Sequence, residues 1–427
     1  MSDTTRATER APDVEYAEME AVRSSANGNG HVEATANGQG GGPASPPPHR
    51  RRRRPRVSDR TLAALGVAVG VSALISLGLG VGHGGHQHAA ATPAGTALPA
   101  GHDHGAATAT APPSGAVQGR SAVEDGVRYE AYQRPDPTLP AVPAGPVKRF
   151  RVDVVMHETK VSDDQPPLRV WSFGVNGRFL PGTGASPPIV VNQGDRVSVT
   201  FVNGANAAMH VNMPHSLDIH AAELAPNLAF KTIRPGATWH YSFVAKDPGV
   251  FMYHCATEPM IWHLGSGMVG MFIVKPRNLP KVDRELWLIQ QEYFLGKKPG
   301  DDADYTKMLA ERPDVIAFNG YGHQYMQHPI HVRAGERIRM YILNPGPTHT
   351  SSFHVIGAIF DKTSNEGVTG GPAQVMALPP STGGYVEFSL KQQGAFPFVD
   401  HNFASMAKGA MGLMVTEHAP RGAASGF

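Results

Sequence analysis

The feature that most constrains this chain is that its last two-thirds is written twice. PPIVVNQGDRVSVTFVN (Pro187–Asn203) is answered by HPIHVRAGERIRMYILN (His328–Asn344), and HSLDIHAAEL (His215–Leu224) by HTSSFHVIGA (His349–Ala358). KDPGVFMYHC (Lys246–Cys255) is answered by KQQGAFPFVD (Lys391–Asp400), and GMVGMFIVKP (Gly267–Pro276) by GAMGLMVTEH (Gly409–His418). The order is kept and the separation stays at about 140 residues, which marks a tandem duplication. Each copy is long enough to bury its own core. Segments such as RFRVDVV (Arg149–Val155), Ile189–Val202 and WHYSFV (Trp239–Val244) alternate apolar and polar residues between Gly, Pro and Asn punctuation. That pattern reads as the strands of a sandwich. The expected fold is all-β: two tandem β-sandwiches over residues 147–280 and 281–420, joined near Pro276–Arg284. Gly and Pro together make up about a fifth of the chain, which argues against a helix-rich fold. Only Asp304–Arg312 reads as helix, stopped by Pro313.

The part before the repeat has a different character. Residues 1–59 lack apolar periodicity and read as a disordered tail ending in the basic run His49–Arg56. Residues 60–82 read as one transmembrane helix, since Thr61–Gly82 carries no charge. Arginines before the span put the tail in the cytoplasm, so the expected location is a single-pass anchor in the cell membrane with the sandwiches on the extracytoplasmic side. Residues 83–146 are low in complexity and read as a flexible linker containing His83, His86, His88, His102 and His104. A net charge of +2 gives no case for nucleic-acid binding.

One cysteine among 427 residues, Cys255, excludes a disulfide framework and a Cys-based zinc ribbon. It stands in Cys-x7-His-x4-Met with His263 and Met268, and His215 lies upstream. Two imidazoles, a thiolate and a thioether are the ligands of an electron-transfer copper, because the sulfurs favour Cu(I) and the imidazoles accommodate Cu(II). The second copy has Asp400 in place of Cys255, so it cannot repeat this site.

A second metal site is expected beside the first. Neighbours on a strand face opposite ways, so His254 points away from the metal that Cys255 faces. His220 lies five residues beyond His215 and groups with His254; Asp218 shares its face. Imidazoles around an open position suit a catalytic metal. A third ligand should come from the second copy, with His401 the best candidate and His354 the other. His323, His328, His331 and His349 read as surface or structural residues.

These segments carry a family resemblance. MPHSLDIHAA and PGVFMYHCATEPMIWHLGSGMVGMFIV resemble the first domain of copper-containing nitrite reductases, and SSFHVIGAIFD and FVDHNFASMAKGAMGLMV resemble the second. The resemblance runs from about Val147 to Glu417. It implies two cupredoxin-like Greek-key sandwiches and two coppers per chain. His215, Cys255, His263 and Met268 would hold the type 1 copper. His220 and His254 would hold the type 2 copper together with His401 from the neighbouring subunit of a homotrimer. Asp218 and His354 would be the acid/base pair, and Ile356 would crowd the substrate position. The implied activity is one-electron reduction of nitrite to nitric oxide and water. The electron would come from a small redox protein of cupredoxin or cytochrome c type and pass through Cys255–His254. Two alternatives stand beside it. A two-domain multicopper oxidase would need His-x-His pairs, and residues 147–427 contain none. A non-enzymatic carrier would need no Asp218, His354 or His401. The stretch Pro181–Val191 is longer than the family's usual approach to its strand, so one loop is expected to differ.

Overall fold

The strand Val269–Lys275 is buried on both faces, and it shows how the molecule is layered. The computed structural model describes residues 127–204 and 213–425. The expected tail, the span at 60–82 and residues 83–126 of the expected linker lie outside the described residues. No described helix is long and apolar enough to cross a membrane.

The first copy has eight strands: β1 (Val147–Thr159), β2 (Leu168–Val175), β3 (Ile189–Asn192), β4 (Arg196–Val202), β5 (Asp218–Ile219), β6 (Thr238–Val244), β7 (Gly249–His254) and β8 (Val269–Lys275). They form two sheets, ordered β2-β1-β4-β6 and β3-β8-β7-β5. The second copy has β9 (Arg284–Tyr293), β10 (Val315–Phe318), β11 (Ile330–Val332), β12 (Ile338–Gly346), β13 (Ser351–Val355), β14 (Lys362–Asn365), β15 (Val368–Gly370), β16 (Val375–Leu378), β17 (Thr382–Phe388), β18 (Ala395–Asp400) and β19 (Met411–Thr416). Its sheets run β10-β9-β12-β17-β14-β15 and β11-β19-β18-β13-β16. The strand order of the first copy therefore recurs, with β14, β15 and β16 added at the edges. The parallel pairs β1–β4 and β3–β8 recur as β9–β12 and β11–β19.

Five short helices are present among the described residues, where the sequence of the two copies suggested one: α1 (Pro226–Ala229), α2 (Met260–Gly265), α3 (Tyr305–Leu309), α4 (Gln324–Gln327) and α5 (Phe403–Ala407). The four not expected, α1, α2, α4 and α5, run four to six residues, too short to show a period of 3.6 residues. The helix expected at Asp304–Arg312 is α3. Its Asp304 side chain caps the amides of Thr306 and Lys307.

Each sandwich has its own core, around Trp171, Phe201 and Phe272 in the first and Phe318, Phe353 and Phe388 in the second. A third apolar layer joins them. Val250, Met252, Val269, Met271 and Ile273 of β7 and β8 pack against Trp287, Ile289, Tyr341, Leu343 and Tyr385 of β9, β12 and β17. Burying one such side chain contributes about 1.5–3 kcal/mol. That is why β8 reads as a nearly continuous apolar run instead of alternating.

Residues 127–146 differ from the flexible linker expected over 83–146. They lie as an extended strap across both sandwiches. Glu130 N–H donates to the Glu158 carbonyl, Leu139 N–H to Glu285, and the Trp287 indole to the Asp136 carbonyl. A Pro-rich strand satisfies its backbone on neighbours' edges, so it leaves no periodicity of its own.

The long loop at Pro181–Pro188 is wedged between the copies. A Cβ on Gly184 would lie 2.3 Å from the Tyr293 ring, and Tyr293 is fully buried. Gly184→Ala is therefore expected to lower stability by about 1–3 kcal/mol through overpacking, read as a lower denaturation midpoint.

His157 Nε2–H donates to the Thr183 carbonyl of this loop at 3.0 Å. Burial lowers its pKa to about 4. The unfolded chain thus binds a proton below about pH 6.5 that the folded chain refuses. Stability present at neutral pH is lost as pH falls from about 6.5 toward 4, by about 2 kcal/mol at pH 5 from this residue. His157→Phe should flatten the pH dependence of denaturant unfolding by that amount.

Candidate metal centres

β7 ends on two residues that serve opposite faces. Tyr253 and Cys255 belong to the core of the first sandwich, whereas Val250 and Met252 face the second. The two-residue period places His254 on the side of Val250 and Met252.

On the core side, His215, Cys255 and His263 converge, all three buried. His215 Nδ1 lies 3.2 Å from His263 Nδ1, and Cys255 Sγ lies 3.7 Å and 3.3 Å from those two nitrogens. His263 is carried by α2. Met268 is fully buried in the same core, and its backbone is pinned from both sides: its carbonyl accepts from Cys255 N–H and its N–H donates to the His263 carbonyl. The turn needs Gly267, whose φ is +111° and where a Cβ would meet the Trp171 carbonyl at 2.7 Å.

The electrostatics favour neutral rings. Burial and the neighbouring His263 lower the His215 pKa to about 3. Burial lowers that of His263 to about 4, opposed by Glu258. Burial also pushes the Cys255 thiol up, opposed by hydrogen bonds from Ser216 and Thr257. The Ser216 amide lies 3.4 Å from Sγ. His215 Nε2 is buried with no partner among the described residues. Two neutral imidazoles and a sulfur, with no carboxylate among them, fit a soft or borderline metal and not a hard one.

On the opposite side, β5 pairs with β7 so that Asp218 stands directly across from His254. His220 opens a short 3-10 turn just after β5. His220 Nε2 and His254 Nε2 are 3.1 Å apart, and Asp218 Oδ2 is 3.5 Å from the latter. His254 Nδ1–H donates to the Cys255 carbonyl at 2.9 Å, so the lone pair is on Nε2. Burial and His254 lower the pKa of His220, opposed by Asp218. Asp218 is 19% exposed at the side chain. It lines a cleft of 330 Å³ with Ile219, His220, Ala222, Glu223, Leu224, Ala229 and Phe230. A carboxylate and one imidazole at an open cleft, with a second imidazole buried behind them, suit a metal that keeps a position for substrate.

His354 and His401 do not join that cluster within the chain. They stand together on the second sandwich, rings stacked with centroids 5.2 Å apart. His354 Nδ1–H donates to the Gln374 carbonyl at 2.5 Å, and His401 N–H to the Ser352 carbonyl. Ile356 and Phe403 beside them are exposed apolar side chains. In the second copy Asp400, at the position of Cys255, is fully buried and engaged by Gln290 and the amides of Ser352 and Asn402. His349, at the position of His215, lies beside Thr348 and Glu292. A hydrogen-bond network fills the place that His215 and Cys255 take in the first copy.

The sequence matches the multicopper oxidase family over residues 156–279 and 303–421. It is 35% identical over 314 residues to the copper-containing nitrite reductase of Neisseria gonorrhoeae, covering 70% of this chain and 76% of that protein. This chain belongs to the copper-containing nitrite reductase family. The copper-containing nitrite reductase of Neisseria meningitidis serogroup A is 36% identical over 283 residues, covering 64% of this chain and 70% of that one. The solved copper nitrite reductase of Nitrosomonas europaea superposes with a TM-score of 0.56 at 30% identity, covering 65% of this chain and 97% of that one. As a family member the chain has the cupredoxin-like fold and is an oxidoreductase that uses copper. Sequence reasoning missed the indoles around the first centre. Trp171 lies 5.3 Å from His263 and 5.9 Å from His215, centroid to centroid, and Trp262 packs 5.0 Å from Trp171. Neither indole carries a motif that signals this role.

Proposed function

We propose that this chain is a dissimilatory nitrite reductase, in which nitrite, one electron and two protons become nitric oxide and water. The observation that carries this is Asp218, set beside two imidazoles at an open cleft, on the face of β7 opposite Cys255. His215, Cys255, His263 and Met268 are the proposed holders of a type 1 copper. His220 and His254, with His401 of a neighbouring subunit, are the proposed holders of a type 2 copper. Bound there, copper supplies a one-electron store at the first set and a redox-active Lewis acid at the second. The Cys255–His254 peptide links the two ligand sets by a covalent path. Asp218 holds a proton at Oδ2 for the nitrite oxygen that leaves as water, and His354, its Nδ1 fixed on Gln374, relays the second. Ile356 is proposed to limit the space beside the substrate. A small cupredoxin or cytochrome c is the proposed donor, and the N-terminal segment the proposed membrane anchor, holding the sandwiches on the extracytoplasmic side.

The test uses the copper-loaded full-length protein in detergent, without oxygen, with a reduced donor and nitrite. Steady nitric oxide at an electrode is the expected result. Oxygen consumption on exposure to air, with no nitric oxide from nitrite, would make it an oxidase on the same fold.

A homotrimer is proposed, in which His354 and His401, apart from the cleft residues of their own chain, meet those of a neighbour. His254→Ala and His401→Ala should each be inactive alone. Co-assembled in equal amounts, they should regain activity in about a quarter of sites, since the two faces then come from different chains. Failure to regain any activity in mixed assemblies would place the site within one chain.

A further inference from the structure

The two indoles at the first centre are tethered from the other sandwich, at consecutive residues. Trp171 Nε1–H donates to Asp302 Oδ1 at 3.2 Å, and Trp262 Nε1–H donates to the Ala303 carbonyl at 3.2 Å. Trp171 is 0% exposed and lies edge-on to both histidine rings at interplanar angles of 67° and 74°. The segment that holds them is itself fixed. Arg169 N–H donates to the Asp301 carbonyl, and Asp304 N–H to the Phe294 carbonyl. The second carboxylate oxygen of Asp302 lies 3.6 Å from the Arg169 guanidinium. Asp304 then caps α3, whose Met308 meets Gly265 of α2, the helix that carries His263.

We infer that Asp302 of the second sandwich is a positioning residue for the first centre, acting through Trp171 on the rings of His215 and His263. The inference rests on the copper reading of that centre. The physical reason is that an imidazole wedged by a buried ring can turn only if the ring turns. A buried indole whose N–H is satisfied by a carboxylate has one favoured setting. Groups outside the ligand shell that orient the ligands tune affinity and electronic structure without touching the metal. The arrangement also ties the copy that carries His354 and His401 to the centre in the other copy.

The test compares Trp171→Phe, which keeps a ring and removes the N–H, with Asp302→Ala and Asp302→Asn. Asp302 is one-third exposed at its side chain, so truncating it does not open a core cavity. The readouts are the visible and electron paramagnetic resonance spectra, the midpoint potential and the Cu(II) affinity of the first centre. Trp171→Phe and Asp302→Ala are expected to shift the bands and the potential and to weaken Cu(II) binding about tenfold. Asp302→Asn, which keeps an acceptor oxygen, is expected to stay near the parent spectrum. The double variant should be no worse than either single, as for two residues acting along one contact. Spectra and potential unchanged in Asp302→Ala, with only a lower melting temperature, would overturn the inference, and so would additive effects. A parent protein that takes up no copper at this centre would instead overturn the copper reading on which the inference stands.

Discussion

Cys255→Ser is expected to abolish the intense visible absorption of the copper-loaded protein and, with it, nitric oxide production from an external donor. The absorption depends on a thiolate bound to copper, and Cys255 is the only cysteine in the chain. A serine hydroxyl is a harder ligand, does not ionise at neutral pH and gives no sulfur-to-copper transition. His220 and His254 are untouched, so copper should still load at the second set. A visible band retained in Cys255→Ser would remove Cys255 from the first ligand set. Nitric oxide production surviving at the parental rate would show that electrons reach the second set without it.

Asp218→Asn is expected to lower nitrite turnover by roughly 10²–10⁴-fold, the usual worth of a positioned proton donor. The amide has the shape of the carboxylate and leaves β5 paired with β7, but it cannot hold and release a proton. The visible spectrum should not change, because the side chain lies on the other face of β7 from Cys255. Turnover by stopped-flow reduction and an absorption scan on the same sample separate the two roles. Parental turnover in Asp218→Asn would take the proton supply away from this residue. Loss of the band would show that the two faces are not independent.

The legibility of this protein was uneven, and the division follows the range of the interactions. The spacing of Cys255 and His263 is legible because one strand end and the helical turn after it bring their side chains together. His254 and Asp218 were visible because strand parity sends neighbours to opposite faces. The odd offset of His220 from His215 points it toward His254, although the backbone turns into a short helix there. The duplication was visible because strand order depends on local pattern repeated in one sequence. The short helices α1, α2, α4 and α5 and the strap at residues 127–146 were not, since none of them buries a periodic face.

The sequence by itself determined the groups available here: one cysteine, with two histidines and a methionine at set offsets from it, and a further histidine, His254, one peptide bond away. It determined too that the second copy, with Asp400 and Val399 where the first has Cys255 and His254, cannot build either set at those positions. Only the tertiary structure decided how the copies lean on each other, with Val250 and Met252 against Trp287 and Tyr341. A separate apolar contact, of Leu168 and Val170 with Phe294 and Ala303, accompanies the meeting of Trp171 and Asp302 across 131 residues of chain. Metal-ligand spacing is a short-range property of backbone geometry and survives in the order of residues. A contact between two sandwiches depends on the shape of both surfaces, and no local pattern records it.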